Sequence, residues 1–380
     1  MAAEQLDEVV TPALIVDRDR LVMNVREMAD RAQSLGVALR PHAKTHKSPA
    51  IAALQREHGA SGLTVATIAE AEGFAAEGFD DFVITAPAIG AWRLDRLIAL
   101  ARRVRIRVAL DGAEALSALD QACRRGGVQI GYLWEVDCGV GRFGTLPGRP
   151  TADVLAQCIG AAPHASFEGL LVFGGHSYAA TSAEGIAAAA RDEQEAISGT
   201  VAALAQHGIE VAVRSVGSTP TAHAMRSAEG ITEIRPGNYV FYDATQVALG
   251  IVGPERCALS VLATVTSRPA SDRLILDAGS KALAAERLST LTPGLGLIEG
   301  HPELRVERLY EEQAIVHADE PCEIPVGSRV RVIPNHACAA ANLHSQMLVV
   351  EDGEVLDAWP VAVREWRENE AERRPAWSTR

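Results

Sequence analysis

From about residue 12 to residue 240, short β-rich runs alternate with alanine-rich amphipathic stretches, the pattern of parallel βα units. Strands read at Val37–Lys44, Thr64–Thr67, Phe82–Thr85, Arg107–Leu110, Tyr132–Asp137, Phe167–Gly175, Val211–Gly217 and Glu233–Tyr239. Helical patterns such as Arg18–Leu35, Ala91–Arg103 and Ala183–His207 separate them. Eight strands suggest a closed (β/α)8 barrel of the TIM type rather than an open sheet. After about residue 250 the texture changes to strand-like runs with turn punctuation: Ala258–Thr266, Leu274–Asp277, Arg329–Ile333, and Met347–Val350 before the turn at Glu351-Asp352-Gly353. The chain therefore reads as α/β, a barrel over 12–250 and a C-terminal β domain over 251–380 that residues 1–11 join. The polar end Glu365–Arg380 reads as a solvated tail.

Composition narrows the partners. With 36 Lys and Arg against 49 Asp and Glu the net charge is −13, which argues against nucleic acid and anionic membrane and for a small-molecule ligand. The six cysteines are scattered rather than packed into a disulfide framework, which fits a reducing compartment. Residues 1–11 carry Glu4, Asp7 and Glu8 and no basic apolar run, and no apolar segment reaches the roughly 18 residues of a spanning helix. The expectation is a cytoplasmic protein.

Four segments can carry chemistry. Arg40-Pro41-His42-Ala43-Lys44-Thr45-His46-Lys47 ends the first predicted barrel strand, where side chains face the mouth. A desolvated Lys among His and Arg is pushed toward a nucleophilic amine, as Schiff-base chemistry needs. Ser215-Val216-Gly217-Ser218-Thr219-Pro220-Thr221 follows the seventh strand; alone it reads as an ordinary helix cap, but with Arg235-Pro236-Gly237-Asn238-Tyr239 at the eighth it forms a two-loop phosphate cradle. Gly139-Val140-Gly141-Arg142-Phe143-Gly144 formally matches the dinucleotide fingerprint, yet Pro147, Gly148 and Pro150 leave no helix start for a pyrophosphate, and Arg142 is its useful residue, a cation within reach of a ligand oxygen. In Pro334-Asn335-His336-Ala337-Cys338, His336 and Cys338 on an extended segment point the same way and suit one borderline cation such as Zn²⁺. Alone, the pair also reads as a small buried hydrophobe and a satisfied polar group.

Together these segments resemble the pyridoxal-phosphate enzymes of the alanine-racemase fold type, in the D-threonine aldolase and D-serine dehydratase branch. The resemblance runs from Thr11-Pro12-Ala13-Leu14 and Asp17 through Arg40–Lys47, Val136–Gly144, Gly174-Gly175-His176-Ser177-Tyr178, Ser215–Thr221, Glu233–Asp243 and Asp277–Leu283 to Pro334–Leu343. It implies a cofactor-binding barrel with a C-terminal β domain, paired as a homodimer and acting on a D-amino acid. By that resemblance Lys44 carries the cofactor, with His42 beside it, and Arg142 lies near its phenolate oxygen. Ser218, Thr219, Gly237, Asn238 and Tyr239 belong to the cradle, Tyr178 is a cofactor- or substrate-facing phenol, and Arg235 contacts the pyridine nitrogen.

Within the branch, aldolases usually carry His-x-Asp at the metal and the D-serine and D-3-hydroxyaspartate dehydratases His-x-Cys, as in His336 and Cys338; this favours dehydration, with Zn²⁺ ahead of Mn²⁺. One departure is Glu311-Glu312-Gln313-Ala314, where the family commonly reads Glu-Glu-His-Gly. Two outcomes stay open at this stage. Loss of the α-proton to Lys44 and of the β-hydroxyl gives an enamine that hydrolyses to a 2-oxo acid and ammonia, whereas cleavage of Cα–Cβ gives glycine and an aldehyde. A racemase, a non-catalytic cofactor carrier and an NAD-dependent dehydrogenase are the other readings.

Overall fold

A computed structural model describes residues 4–363, so the charged stretch Glu365–Arg380, read as a tail, lies outside the described residues. Eight parallel strands follow one another around a ring: Ala38–Leu39, Leu63–Val65, Asp81–Ile84, Arg105–Leu110, Ile130–Val136, Ala165–Val172, Val213–Val216 and Glu233–Ile234. The eighth pairs with the first, Glu233 opposite Ala38. The first and second meet through a bridge between His42 and Thr64, whose N–H donates to the Pro41 carbonyl at 2.8 Å. All eight predicted strands are present, in the predicted barrel. Seven of them end sooner than predicted, the first and the eighth by five residues each because Ala43–Thr45 and Asn238–Val240 wind into single 3-10 turns at the mouth.

Local chemistry fixes the elements that set these strands. Helix Arg18–Leu35 starts where the Asp17 carboxylate accepts the Arg20 N–H at 3.0 Å and stops at Gly36, whose φ of +68° is left-handed. Its buried stripe, Leu21, Val25, Met28 and Ala32, has helical spacing. Below the mouth, Arg40 crosses between strands: Nε donates to Glu233 at 2.6 Å and Nη1 to Asp81 at 2.9 Å, while Arg107 Nη2 reaches the same Asp81 oxygen at 2.6 Å. Such buried pairs add little net stability, but removing one partner strands the other charge. Arg40 thereby fixes the point from which the Lys44 turn departs.

The second unit is also a barrel. Leu259–Ala270, Arg273–Leu276, Ala314–Ala318, Leu304–Leu309, Leu297–Ile298 and Arg329–Ile333 form an antiparallel ring that closes where Val261 pairs with Val332. Ala13–Asp17, near the N-terminus, belongs to this sheet: it pairs with Leu259–Ala270 on one side and with Gln346–Glu351 on the other. Glu4–Gln5 pairs with the last strand, Glu354–Pro360. Among the described residues, no helix is long and apolar enough to cross a membrane.

Candidate active site

A cavity of about 560 Å³ opens at the barrel mouth, and His42, Lys44, Arg142, Tyr178, Ser218, Thr219, Arg235, Gly237, Asn238, His336 and Cys338 all line it. Of the residues singled out in the sequence, Tyr239 is not in that wall. Its ring is fully buried and its hydroxyl accepts from Gln55 Nε2 at 3.0 Å, so only its backbone N–H reaches the predicted cradle residues, donating to Thr219 Oγ1 at 3.1 Å.

The Lys44 turn separates the lysines of its motif. Lys47 Nζ is tied down, 2.8 Å from Asn342 Oδ1 and 3.4 Å from Glu70, whereas Lys44 faces the cavity. Burial, then the neighbouring Lys44 and Arg235 charges, hold His42 well below the usual imidazole range, so it is neutral, and its Nδ1 has no partner.

Across the mouth, Ser218 and Thr221 cap each other: Ser218 N–H donates to Thr221 Oγ1 at 2.9 Å, and Thr221 N–H to Ser218 Oγ at 3.3 Å. Gly237 has no room for a side chain, since a Cβ there would lie 2.8 Å from Thr45 Oγ1 and 2.9 Å from the His42 carbonyl. The Lys44 turn and the Gly237 turn are therefore in backbone contact.

The glycine turn cannot cradle a dinucleotide. Asp137 accepts the N–H groups of Gly139, Val140 and Gly141 at 2.9, 2.7 and 2.9 Å, and no helix starts before Arg149. What the turn presents is Arg142, its guanidinium 5.2 Å from the Phe143 ring centre and 5.1 Å from that of Phe173. Arg235 lies deeper and fully buried, donating to Ser215 Oγ at 2.7 Å and the Val172 carbonyl at 2.8 Å, with no carboxylate in ion-pair contact among the described residues. Tyr178 is half-buried on the turn Gly175–Ala179, with its phenol group facing inward, and that phenol is pushed upward by burial and then by the Cys338 and Asp243 charges, so it stays protonated.

The segment around His336 and Cys338 is not extended as predicted. Pro334 interrupts the strand pattern, and His336 instead precedes the first turn of helix Ala337–Leu343, with Cys338 inside it. The turn still brings the two together. Burial opposes charge on both, but their mutual attraction and hydrogen bond outweigh it: Cys338 is lowered and His336, aided by Asp243 and Glu286, is raised to about 10. His336 Nδ1 contacts the Glu286 carboxylate, and Cys338 Sγ lies 3.2 Å from Thr45 Oγ1. Among the described residues no cluster of three or more His, Cys, Asp or Glu forms a metal cage. A thiol and an imidazole side by side, whose protons a cation can replace, nonetheless fit a two-ligand site with open positions. A lysine in a cavity with neutral hydroxyl donors, an unpartnered Asn238 Oδ1 and an Arg235 that no carboxylate pairs among the described residues likewise fits a phosphorylated carbonyl cofactor.

The sequence reading missed three buried carboxylates here. Glu135 lines the cavity, raised to about 7 by burial against the pull of Arg235 and Arg142. Asp243 links two loops and is taken up below. Glu193 accepts the N–H groups of Gly174 at 2.6 Å and Gly217 at 3.1 Å. The signal for Glu193 was available, since it falls on the buried stripe of Ile186, Ala189, Ala190, Ala196 and Ile197 in helix Ala183–Ala205.

Burial raises Glu193 from 4.5 to about 7. The folded state thus binds a proton that the unfolded state has released, and this contribution is complete below pH 4.5 and lost as pH rises through 7. In cofactor-free protein, Glu193→Gln, whose amide oxygen keeps both N–H bonds, should gain a few degrees of melting temperature relative to wild type between pH 5 and pH 8. An unchanged difference between the two pH values refutes this.

Residues 16–245 match the alanine racemase N-terminal domain family, and residues 258–350 match the putative serine dehydratase domain. The chain is 35% identical to a D-threonine aldolase of Arthrobacter sp over 95% of its own length and 94% of that protein's. It is 34% identical to a D-threo-3-hydroxyaspartate dehydratase of Delftia sp. (strain HT23), covering 91% and 95% respectively. A cysteine-to-alanine variant of a D-threo-3-hydroxyaspartate dehydratase, solved in the metal-free form, superposes with a TM-score of 0.87 at 32% identity, covering 94% of this chain and 98% of that one.

Proposed function

Because the chain belongs to the family that joins an alanine racemase N-terminal domain to a serine dehydratase domain, we propose that it is a pyridoxal-phosphate-dependent, metal-assisted lyase of D-β-hydroxy-α-amino acids, and that it works as a dehydratase. The observation that carries this reading is the shared cavity, which Lys44 and the His336–Cys338 pair line together. When bound, the cofactor supplies an electron sink for the α-carbon of an amino acid. A divalent cation on His336 and Cys338, Zn²⁺ ahead of Mn²⁺, supplies Lewis acidity toward a hydroxyl oxygen.

The chain's own groups divide the remaining work. Lys44 would hold the cofactor, and its Nζ would be the amine that takes the α-proton. Ser218, Thr219, Gly237 and Asn238 hold the phosphate with neutral donors. Arg142, kept between two phenyl rings, serves the ring oxygen, and Arg235 serves the pyridine nitrogen. Tyr178, protonated at neutral pH, donates a hydrogen bond toward the substrate and does not act as an anionic base.

The His-x-Cys pair supports dehydration to a 2-oxo acid and ammonia. A second reading, aldol cleavage to glycine and an aldehyde, is supported by the 35% identity to a D-threonine aldolase. Incubation with D-serine, D-threonine and D-3-hydroxyaspartate, with and without chelator, decides between them. Metal-dependent ammonia and 2-oxo acid are expected. Glycine with an aldehyde favours the second reading, and chirality inversion with neither product identifies a racemase.

A further inference from the structure

Asp243 is fully buried, and the mechanism above gives it no task. Its Oδ2 accepts two hydrogen bonds at once, from Asn238 Nδ2 at 2.5 Å and from the Ala337 N–H at 2.9 Å. Its Oδ1 accepts the Gln246 N–H at 3.1 Å and so caps helix Ala244–Ala248. One oxygen is thus shared between the cofactor-phosphate turn and the residue that stands between His336 and Cys338. The segments run on in contact: the Ala244 N–H donates to the Pro334 carbonyl at 3.0 Å, and Thr245 Oγ1 to the Asn335 carbonyl at 2.7 Å.

We infer that Asp243 is a positioning residue that couples the two halves of the site, so that seating the cofactor on the Asn238 turn raises the affinity of His336 and Cys338 for a divalent cation. The inference rests on the cofactor and metal reading given above. Two ligands bind a cation well only when both are held within a few tenths of an ångström of their working positions. Asn238 is 5% exposed and its Oδ1 has no partner, so without a ligand the turn carries an unsatisfied polar group. A ligand that fixes Asn238 fixes Asp243, and Asp243 fixes the first N–H of the helix that carries Cys338. Water does not substitute for these bonds at a fully buried carboxylate. By linkage the effect is reciprocal, and metal tightens the cofactor by the same factor.

Attraction between a phosphate dianion and a metal dication would also couple the sites, but it does not need Asp243. The test therefore measures a ratio. Zn²⁺ is titrated against a competing chromophoric chelator with pyridoxal-phosphate-loaded and with cofactor-stripped protein. Wild type should bind Zn²⁺ at least about fivefold tighter when loaded. In Asp243→Ala, loss of a negative charge near the site weakens Zn²⁺ in both states, yet the ratio should fall toward one. Asn238→Ala, which breaks the same link from the other side, should lower it likewise and serves if Asp243→Ala does not fold. A wild-type ratio near one overturns the inference, as does a ratio kept in whichever variant folds. Equal, measurable Zn²⁺ binding in both wild-type forms defeats the coupling alone. Absence of Zn²⁺ binding from both forms defeats the coupling and the metal reading together.

Discussion

Lys44→Ala should purify without the absorbance band of lysine-bound pyridoxal phosphate and should lose at least about 10³-fold in lyase turnover, since one substitution removes both the point of attachment and a general base. Lys47→Ala should retain the band. The asymmetry follows from the turn Ala43–Thr45, which leaves Lys44 in the cavity wall while Lys47 is held by Asn342 and Glu70. Borohydride reduction followed by peptide mapping is the direct measurement. A borohydride label on Lys47, or a normal band in Lys44→Ala, would overturn the assignment.

Chelation should abolish lyase activity and, at saturating cofactor, leave that band in place, because the cation polarises a leaving oxygen and does not hold the ring. Cys338→Ala should behave like the chelated enzyme, a loss of about 10²-fold or more. Cys322→Ala should behave like wild type, for Cys322 lies in the second barrel beside Ser271, outside the cavity wall. Thiolate and imidazole favour Zn²⁺ over Mg²⁺ or Ca²⁺, so Zn²⁺ should restore the chelated protein where Mg²⁺ does not. Full activity in a demonstrably metal-free preparation would leave His336 and Cys338 as ordinary loop residues.

The barrel strands were legible because each is a short apolar run bounded by turn residues, and the helix Arg18–Leu35 because Asp17 and Gly36 bracket one period of pattern. Lys44, Arg142, Ser218 and Asn238 were legible because barrel geometry sends strand ends to one mouth. What periodicity could not show were contacts between distant segments. Nothing near Asp243 in sequence announces Ala337, 94 residues away. The helix at Ala337 was missed because Pro334 ends the strand and the following alanines are too few to make a pattern. Tyr239 was assigned to the cradle by its neighbours, but the turn Asn238–Val240 rotates its ring into the core.

The placement of Ala13–Asp17 bears on how the chain can be made. During synthesis this strand leaves the ribosome before any part of the (β/α)8 barrel, yet both strands it pairs with, Leu259–Ala270 and Gln346–Glu351, come more than 200 residues later. The barrel can close on local contacts as it emerges, while Ala13–Asp17 waits unpaired, an exposed apolar edge open to wrong partners until Leu259–Ala270 and Gln346–Glu351 have been made. A ribosome that stalls after residue 250 would therefore release not a finished domain but one with a loose hydrophobic end, and quality control would meet this protein at that stage.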